Sequence, residues 1–452
     1  MVASMVRQIL VSLAAVVACI ATAASAQSSF APEVKETTRV ILAGDFAGAE
    51  SRLGQLQRAF AKDYREEGAL GDALFACYDS SDELRAALDR WVAQNPKSYI
   101  ARLCRGMYWT ATGFERRGGK VIAQTTAAQI AGMKDAFNAA SRDYRHALEL
   151  DRKPTFAHWG LITIGRALGA DRRALDALLQ QAIAVEPLTS NVRLAYLGAL
   201  RPEWGGSIEE MEAFLRETRS KYPKVLKLQL MEASVASAKT RVARISGDVA
   251  GAVRESDKAV ELAKSEKTLR DRAWAHFNAK NYEQAITDAN EAMKLEGCDP
   301  CARAIRGMAY VRSGRHKEGL EDLHRAAGEN NPTAQNELGM AYAIGKYGLA
   351  KDYAAAEKLC RKAAEQRDPL GAYCLGGLYF SGLGVPRDAA QAARWYELSA
   401  ALGLADAQAD LGIMYARGTG VAQDKSAAVK WLTLAAGQGN ARARGELRQL
   451  QR

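Results

Sequence analysis

The sequence is poor in histidine and lacks the motifs of the common enzyme classes. No two of its five histidines are spaced as His-x-x-x-His or as His-Glu-x-x-His, so the usual zinc motifs are absent. The Gly-x-Ser-x-Gly turn of serine hydrolases and the glycine-rich phosphate and dinucleotide loops are absent too. We therefore predict no catalytic residue, no cofactor and no metal site, and a protein that is not an enzyme. The histidines, which we assign to structural or surface positions, are His146, His158, His276, His316 and His324.

Long apolar runs are also absent, except near the start of the chain. There an uncharged apolar run from Ile9 to Ala18 follows Arg7 and precedes an Ala-x-Ala site that ends at Ala26. This order predicts a secretory signal peptide over residues 1–26 and a short linker over 27–35. The apolar run is shorter than the ~20 residues that span a bilayer, so we expect a periplasmic or secreted protein with no membrane span. A lipoprotein signal that is acylated at Cys19 is the alternative.

The charges show no block of one sign. Lys and Arg number 62 against 52 Asp and Glu, for a net charge of +10, and the two signs are interleaved along the chain. This pattern predicts solvated helix faces and no nucleic-acid partner. Weak contact with an anionic envelope surface remains an alternative use of the positive charge.

The C-terminal part of the chain repeats with a period of about 36 residues. The motif Leu-Gly-x-x-Tyr begins at Leu338, Leu375 and Leu411, at offsets of 37 and 36 residues. Each unit indicates two antiparallel helices, in which the glycine after leucine lets the second helix approach closely. The Gly-x-Gly-Val turns end the first helix, because glycine accepts a left-handed backbone. An aspartate recurs at offsets of 36 residues, at Asp352, Asp388 and Asp424.

These motifs, followed by Ala-x-x-Trp and Ala-Ala, resemble the Sel-one-like (Sel1-like) repeat. The resemblance gives three repeats over residues 333–440 and is strongest in the second and third, since the first has Leu359 in place of tryptophan. Residues 441–452 are predicted to form a charged C-terminal capping helix. The resemblance implies a stack of helix pairs of a kind that typically mediates protein contacts.

Upstream of these repeats the period becomes 34 residues. Ala273 matches Gly307, and His276 matches Tyr310. The small residues at these spacings resemble two tetratricopeptide repeats, which are also helix pairs, and we assign residues 226–332 to this region.

The region 36–225 has a helical pattern with degenerate repeats. Its most distinctive string is Pro-Glu-Trp-Gly-Gly-Ser, which ends at Ser207, and Ser207 with Glu210 predicts a capped helix start after a tight turn. The string resembles an uncharacterised bacterial domain family with a Pro-x-Trp-Gly-Gly-Ser segment, which implies no known activity. We assign Trp204 to packing between helices in preference to a ligand site.

Cysteine is scarce, with seven residues in the chain and six after the predicted cleavage site. Cys360 lies near the end of one predicted helix and Cys374 lies a comparable distance into the next, which predicts a disulfide. Cys298 and Cys301 are predicted to form a second, structural pair, because the βαβ context of a thioredoxin-like redox site is absent. The remaining candidate pair is Cys77 with Cys104.

Together these patterns predict an all-α fold, an α-solenoid of stacked antiparallel helix pairs. We expect an exported scaffold that binds a protein or peptide through its concave face, with a role in envelope assembly or signalling. A cell-wall or β-lactam-related enzyme is one alternative, and the absence of a nucleophile, base and orienting group argues against it. A lipid-anchored assembly factor is the other.

The predicted partner surface lies on the first helix of each pair, which lines the concave side of such arrays. Carrying the tetratricopeptide groove positions onto these repeats selects large apolar side chains with a few amide and arginine donors, a combination suited to a peptide or helix. Met308 and Ile413 in particular have packing between helices as an alternative role. The predicted contact residues are Arg270, Trp274, Phe277, Asn278, Met308, Val311, Arg312, Asn336, Met340, Ile344, Tyr373, Phe380, Ile413 and Arg417.

Overall fold

The structure is a computed structural model that describes residues 32–117, 126–295 and 299–450. Within these ranges the chain forms 23 α-helices and two short 3-10 helices, and no strand. The prediction of an all-α fold is therefore confirmed. The predicted signal peptide, with Cys19, lies outside the described residues. In the described part of the chain, no helix combines the length and the apolar character needed to cross a membrane.

The chain divides into two compact units between Lys264 and Ser265. Helices of the N-terminal unit are α1 (Pro32–Leu42), α2 (Phe46–Lys62), α3 (Glu67–Phe75), α4 (Asp82–Gln94), α5 (Tyr99–Arg117), α6 (Ala127–Leu150), α7 (Thr155–Leu168), α8 (Arg172–Val185), α9 (Asn191–Ala199), α10 (Ile208–Lys221), α11 (Leu228–Ser246) and α12 (Val249–Leu262). Helices of the C-terminal unit are α13 (Glu266–Asn278), α14 (Tyr282–Lys294), α15 (Asp299–Arg312), α16 (His316–Gly328), α17 (Pro332–Ile344), α18 (Tyr353–Glu365), α19 (Pro369–Ser381), α20 (Ala389–Ala401), α21 (Ala405–Arg417), α22 (Lys425–Gly437) and α23 (Ala441–Leu450).

The N-terminal unit is organised around the long helices α5 and α6. Tyr144 of α6 is fully buried, and its ring fills the space beside Gly106 of α5 and Gly160 of α7. A Cβ atom on Gly160 would lie 2.3 Å from that ring, so only glycine permits this close packing. Cys77, just after α3, and Cys104 of α5 lie at disulfide distance with their Cα atoms 5.1 Å apart.

The C-terminal unit is a stack of helix pairs in which each helix packs against the next along the chain. In the three 36-residue repeats, the glycine of Leu-Gly faces the second helix of its own pair. Cβ atoms on Gly339, Gly376 and Gly412 would lie 2.5, 2.6 and 2.7 Å from Cys360, Tyr396 and Leu432 respectively. The predicted role of these glycines, close approach of the two helices, is confirmed.

The turn inside each of the last two repeats contacts the repeat before it. Gly382 and Gly418 end α19 and α21 with φ angles of +68° and +67°, as predicted for left-handed caps. Two residues later, the backbone of Gly420 lies so close to the start of α20 that a Cβ atom there would be 2.1 Å from the carbonyl oxygen of Ala389. Gly384 approaches Tyr353, the first residue of α18, in the same way. Each turn therefore rests on the N-terminus of the preceding second helix.

The recurring aspartates are the N-caps of the second helices. The carboxylates of Asp352 and Asp424 accept hydrogen bonds of 2.9 and 3.0 Å from the backbone N–H groups of Ala355 and Ala427. Asp388 accepts from two backbone N–H groups in the corresponding position. The 36-residue spacing of aspartate thus marks where each second helix begins.

The predicted pairing of Cys360 with Cys374 agrees with the structure. The two Sγ atoms are 2.06 Å apart and the Cα atoms 5.9 Å apart, which is within the usual range for a disulfide. The bond joins α18 to α19, and so connects the first 36-residue repeat to the second. Cys298, of the predicted Cys298–Cys301 pair, lies outside the described residues.

Candidate partner-binding surface

The first helices of the C-terminal unit carry all of the predicted contact residues, and the structure separates these residues by exposure. The exposed ones are Asn278, Arg312, Met340, Ile344, Phe380 and Arg417. The partly exposed ones are Trp274, Phe277 and Tyr373. The buried ones are Arg270, Met308, Val311, Asn336 and Ile413.

The five buried side chains contribute to packing within the unit. Met308 and Val311 of α15 belong to the core shared with α16 and α17, and Ile413 packs in the cluster that contains Leu432. The guanidinium of Arg270 forms a 2.5 Å ion pair with the carboxylate of Glu266 one turn earlier. Asn336 is 3% exposed. A partner cannot reach these residues in this structure, so we omit all five from the proposed surface.

The partly exposed aromatic side chains already have partners inside the unit. The rings of Trp274 and Phe277 meet edge to face with their centroids 5.6 Å apart. The Tyr373 hydroxyl donates a 2.8 Å hydrogen bond to Asp410, and its ring contacts that of Tyr396. Burial, followed by the nearby Asp410 charge, raises the pKa of Tyr373 well above its usual value. These side chains therefore stabilise the stack and offer a partner only their outer edges.

Three of the predicted contact residues have exposed apolar side chains that a partner could reach. Met340 and Ile344 lie one turn apart on α17, and Phe380 lies near the end of the neighbouring first helix α19; their exposed fractions are 37%, 57% and 37%. Helices α17 and α19 contact each other and are first helices of consecutive pairs, so Ile344 and Phe380 lie near the same edge of the unit. We call Met340, Ile344 and Phe380 the apolar patch.

One further apolar side chain at this edge was missed by the sequence analysis. Leu383 is 36% exposed and lies two residues after the end of α19. The Gly-x-Gly-Val segment predicts a turn, but that pattern does not indicate how exposed the residue between its glycines is. An apolar side chain at that position is the signal that could have identified it.

The two exposed arginines among the predicted contact residues form ion pairs that join neighbouring helices of the stack. Arg312 of α15 lies 3.1 Å from the carboxylate of Glu337 on α17, which also accepts a 2.6 Å hydrogen bond from the Tyr347 hydroxyl. Arg417 of α21 lies 3.0 Å from Glu446 on α23. A partner carboxylate would have to compete with these glutamates, so the arginines supply a polar rim and no preformed anion site.

The sequence analysis also missed a pattern of charged residues that follows the 34-residue period. Arg272 forms two hydrogen bonds with Asp288, and Arg306 forms two with Asp322, at distances of 2.6 to 2.8 Å. Arg and Asp recur 34 residues apart in the sequence, and the same pairing within each helix pair explains the recurrence. These bidentate pairs hold each second helix against its first.

The described part of the chain contains no candidate metal site. Across the ranges 32–117, 126–295 and 299–450, no three side chains of His, Cys, Asp or Glu are grouped so that they could hold a metal ion.

Two protein families match parts of the sequence. The Sel1 repeat family matches three consecutive segments, residues 332–368, 369–404 and 405–440, which coincide with the helix pairs α17–α18, α19–α20 and α21–α22. A domain of unknown function, DUF4034, matches residues 71–184 of the N-terminal unit.

Several solved structures of bacterial repeat proteins are also similar to this chain. A Sel1 repeat protein from Oxalobacter formigenes is 38% identical over 29% of this chain and 97% of its own, with a TM-score of 0.27. The protective antigen c5321 of uropathogenic Escherichia coli, which displays an SLR fold, is 17% identical over 88% of this chain and 90% of its own, with a TM-score of 0.35. A putative sel1 repeat protein from Klebsiella pneumoniae is 20% identical over 44% of this chain and 99% of its own, with a TM-score of 0.32.

Proposed function

This chain belongs to the Sel1 repeat proteins, and on that basis we propose that it is an exported, non-catalytic scaffold that binds a protein or peptide partner through the first helices of its C-terminal unit. The observation that carries the proposal is the apolar patch, Met340, Ile344 and Phe380. Exposed apolar side chains that are grouped on one face are typical of binding surfaces, because docking removes them from water.

The chemistry of the surroundings favours a protein over a nucleic acid. Arg312 and Arg417, on the first helices on either side of the patch, are paired with Glu337 and Glu446, and Arg387 donates a hydrogen bond to the carbonyl oxygen of Phe380. Phosphate backbones are bound by unpaired Lys and Arg, whereas an apolar centre with a balanced polar rim fits an amphipathic helix or an extended peptide.

Export is supported by the sequence at the N-terminus and by the cysteine pairs. Disulfides persist in oxidising compartments such as the periplasm, and the pairs Cys77–Cys104 and Cys360–Cys374 lie at bonding distance. We propose that the partner is met in the periplasm or outside the cell, with a role in envelope assembly or signalling.

The test is capture of a partner by the mature chain with and without the apolar patch. The triple variant Met340→Ala, Ile344→Ala and Phe380→Ala should keep its helicity and most of its thermal stability, because these side chains are exposed. Affinity for envelope proteins captured by the parent should fall at least tenfold, since anchors of this kind are worth about 1 to 2 kcal/mol each.

The control replaces exposed apolar residues of the same unit outside the patch. Leu295 and Leu370 are 39% and 43% exposed, so the double variant Leu295→Ala and Leu370→Ala removes a similar exposed apolar surface. The proposal predicts that this variant binds like the parent. Undiminished capture by the folded triple variant, or an equal loss in the control, would place the binding surface elsewhere.

A further inference from the structure

The N-terminal unit holds a cluster of three arginines near the Trp-Gly-Gly turn. Arg117 is the last residue of α5, Arg166 lies on α7, and Arg201 precedes the 3-10 helix Pro202–Trp204. Arg117 is 1% exposed and Arg201 is 9% exposed, so their guanidinium groups are almost entirely removed from water. Buried arginines are normally paired with carboxylates, because an uncompensated charge in the interior is strongly destabilising.

Within the described residues, Glu203 is the carboxylate that pairs with this cluster, and it is shared. Arg201 Nε donates a 2.8 Å hydrogen bond to Glu203, and the Arg241 guanidinium lies 3.6 Å from the same carboxylate oxygen. Glu203 is itself buried, and its charge is therefore already used by two arginines. One carboxylate cannot balance the charges of all these arginines, although Glu203 also stabilises the charged form of Arg166 from a distance.

Arg166 is held in place by carbon surfaces. Its guanidinium lies over the indole ring of Trp204, with Cζ 5.3 Å from the ring centroid. Space for it comes from Gly198, where a Cβ atom would be 2.6 Å from Arg166 Nη1. Trp204, which the sequence analysis assigned to packing, thus forms one wall around a cation.

Several donors of this cluster are unused. Arg166 Nε, and Nε and Nη2 of Arg117, are buried and have no hydrogen-bond partner within the described ranges. Buried donors are nearly always satisfied in folded proteins, and a missing ion is one explanation for groups that are not. These donors belong to planar guanidinium groups, whose fork matches the oxygens of carboxylates and phosphates.

The electrostatics indicate that the arginines act on one another. Burial, together with the positive charges of Arg201 and Arg117, lowers the pKa of Arg166 to about 10, against the opposing effect of Glu203. Burial also lowers the pKa of Arg117. The cluster therefore carries more positive charge than its surroundings neutralise, and an anion would relieve this repulsion.

We propose that Arg117, Arg166 and Arg201 bind an oxyanion, a phosphate or carboxylate group, against the ring of Trp204. The site lies in the N-terminal unit and is independent of the apolar patch of the C-terminal unit.

The experiment measures the thermal melting of the mature chain, and titration calorimetry, with sodium phosphate and with sodium acetate at constant ionic strength set by sodium chloride. Phosphate or acetate should raise the melting temperature in a saturable way, because a ligand that binds only the folded state stabilises it. The anion with the larger effect identifies the ligand as phosphate-like or carboxylate-like. If neither anion acts beyond chloride, the proposal is wrong.

Variants separate binding from a structural role. Arg117→Met should melt at the same or a higher temperature without anion, because an unneutralised buried charge is removed, and its response to phosphate and acetate should be lost. Lower stability with an undiminished response would overturn the proposal. Arg166→Lys keeps the charge but not the fork or the stacking, and should weaken anion binding at least tenfold. That second variant decides the question if Arg117→Met fails to fold, since unchanged binding by Arg166→Lys also contradicts the proposal.

The matched control is Arg193→Met. Arg193 is fully buried and, like Arg117, has Nε and Nη2 groups without a hydrogen-bond partner within the described ranges, but its Nη1 donates a 2.7 Å hydrogen bond to the Thr189 carbonyl. Tyr222, Glu67 and Glu186 oppose the lowering of its pKa by burial, so its charge is compensated by its surroundings. This variant should melt at a lower temperature and retain the parent's response to anions. Loss of the anion response in the control would mean that the effect does not come from the arginine cluster.

Discussion

At the scale of single residues, Asp368 shows two environmental effects in opposition. Its carboxylate caps α19 by accepting a 2.7 Å hydrogen bond from the Gly371 N–H group, which favours the charged form. Burial has the larger effect and raises the pKa of Asp368 to about 6, above its ordinary value of 3.8. The Asp368 side chain therefore caps α19 even though burial disfavours its charged form.

The consequence for stability has a definite sign. An acid whose pKa is higher in the folded state holds its proton more tightly there, so the contribution of Asp368 to stability is greatest below about pH 4 and falls as the pH rises to about 6. Asp368→Asn keeps a capping oxygen and does not ionise. We expect this variant to lose the fall in stability that Asp368 causes between about pH 4 and 6, and to be more stable than the parent at pH 7 by up to about 3 kcal/mol.

Urea unfolding of the mature chain at pH 4, 5 and 7 measures this difference. Asp368→Ala, which lacks the cap, should be about 1 kcal/mol less stable than Asp368→Asn at each pH. The same slope of stability with pH in the parent and in Asp368→Asn would contradict the assignment.

Residue roles were predictable from the sequence where a motif fixes them locally. Gly376 and Asp388 occur at fixed repeat positions. In the structure Gly376 allows the close approach of the second helix, as predicted, and Asp388 caps the start of that helix. Exposure on the first helices was less predictable, since Met308 and Met340 were selected by the same rule, yet one is buried and the other exposed. The difference depends on the rotation of each helix against its neighbours, which a period alone does not specify.

At the scale of elements, the close packing of each helix pair depends on one face of the first helix. Gly376 and Gly377 are adjacent on α19 but point in different directions. A Cβ atom on Gly376 would lie 2.6 Å from the buried ring of Tyr396, whereas one on Gly377 would have its nearest neighbour, the Tyr396 hydroxyl, at 3.7 Å.

This pair provides a matched test of helix packing. Gly376→Ala should lower the stability of the C-terminal unit by about 1 to 3 kcal/mol, because the added methyl group forces α20 outward or Tyr396 out of place. Gly377→Ala should raise stability by about 0.5 to 1 kcal/mol, because alanine favours the helix and meets no clash. Thermal melts of the two variants against the parent measure both changes. Equal effects of the two substitutions would show that the close approach does not limit packing.

Element boundaries in the repeats followed from glycine and aspartate, because caps are local and depend on few residues. The turn of the first repeat is an exception. Tyr347 adopts a φ angle of +60° there, and its hydroxyl reaches Glu337, so this turn has a contact that the other repeats lack. The departure from the glycine pattern was visible in the sequence, but the contact formed by the tyrosine was not.

At the scale of the whole molecule, the division between the two units lies inside the region assigned to the tetratricopeptide repeats. The first helix with the 34-residue pattern is α13. Before it, α11 pairs with α12 and also packs onto α9 and α10. The repeat period predicted which helices share a pattern. It did not predict which of them share a core, because packing between non-identical helix pairs depends on side-chain shape.

The last prediction concerns the N-terminus and the disulfides of the mature chain. Intact mass analysis without reduction should give a chain that begins at Gln27 and carries no lipid, because the Ala-x-Ala site ends at Ala26. A peptide map of the same sample should contain the linked pairs Cys77–Cys104 and Cys360–Cys374. Acylated Cys19 at the N-terminus would favour the lipoprotein alternative, and free Cys360 and Cys374 would remove the disulfide assignment.

The turns at Gly384 and Gly420 also restrict how such an array can change over evolution. Each turn rests on the second helix of the repeat before it, with no room for a Cβ atom. Duplication or loss of one complete repeat recreates this contact at the new junction, whereas inserting or deleting a residue within a turn separates two repeats that were in contact. Lineages that carry this array should therefore vary in the number of repeats far more readily than in the length of any turn.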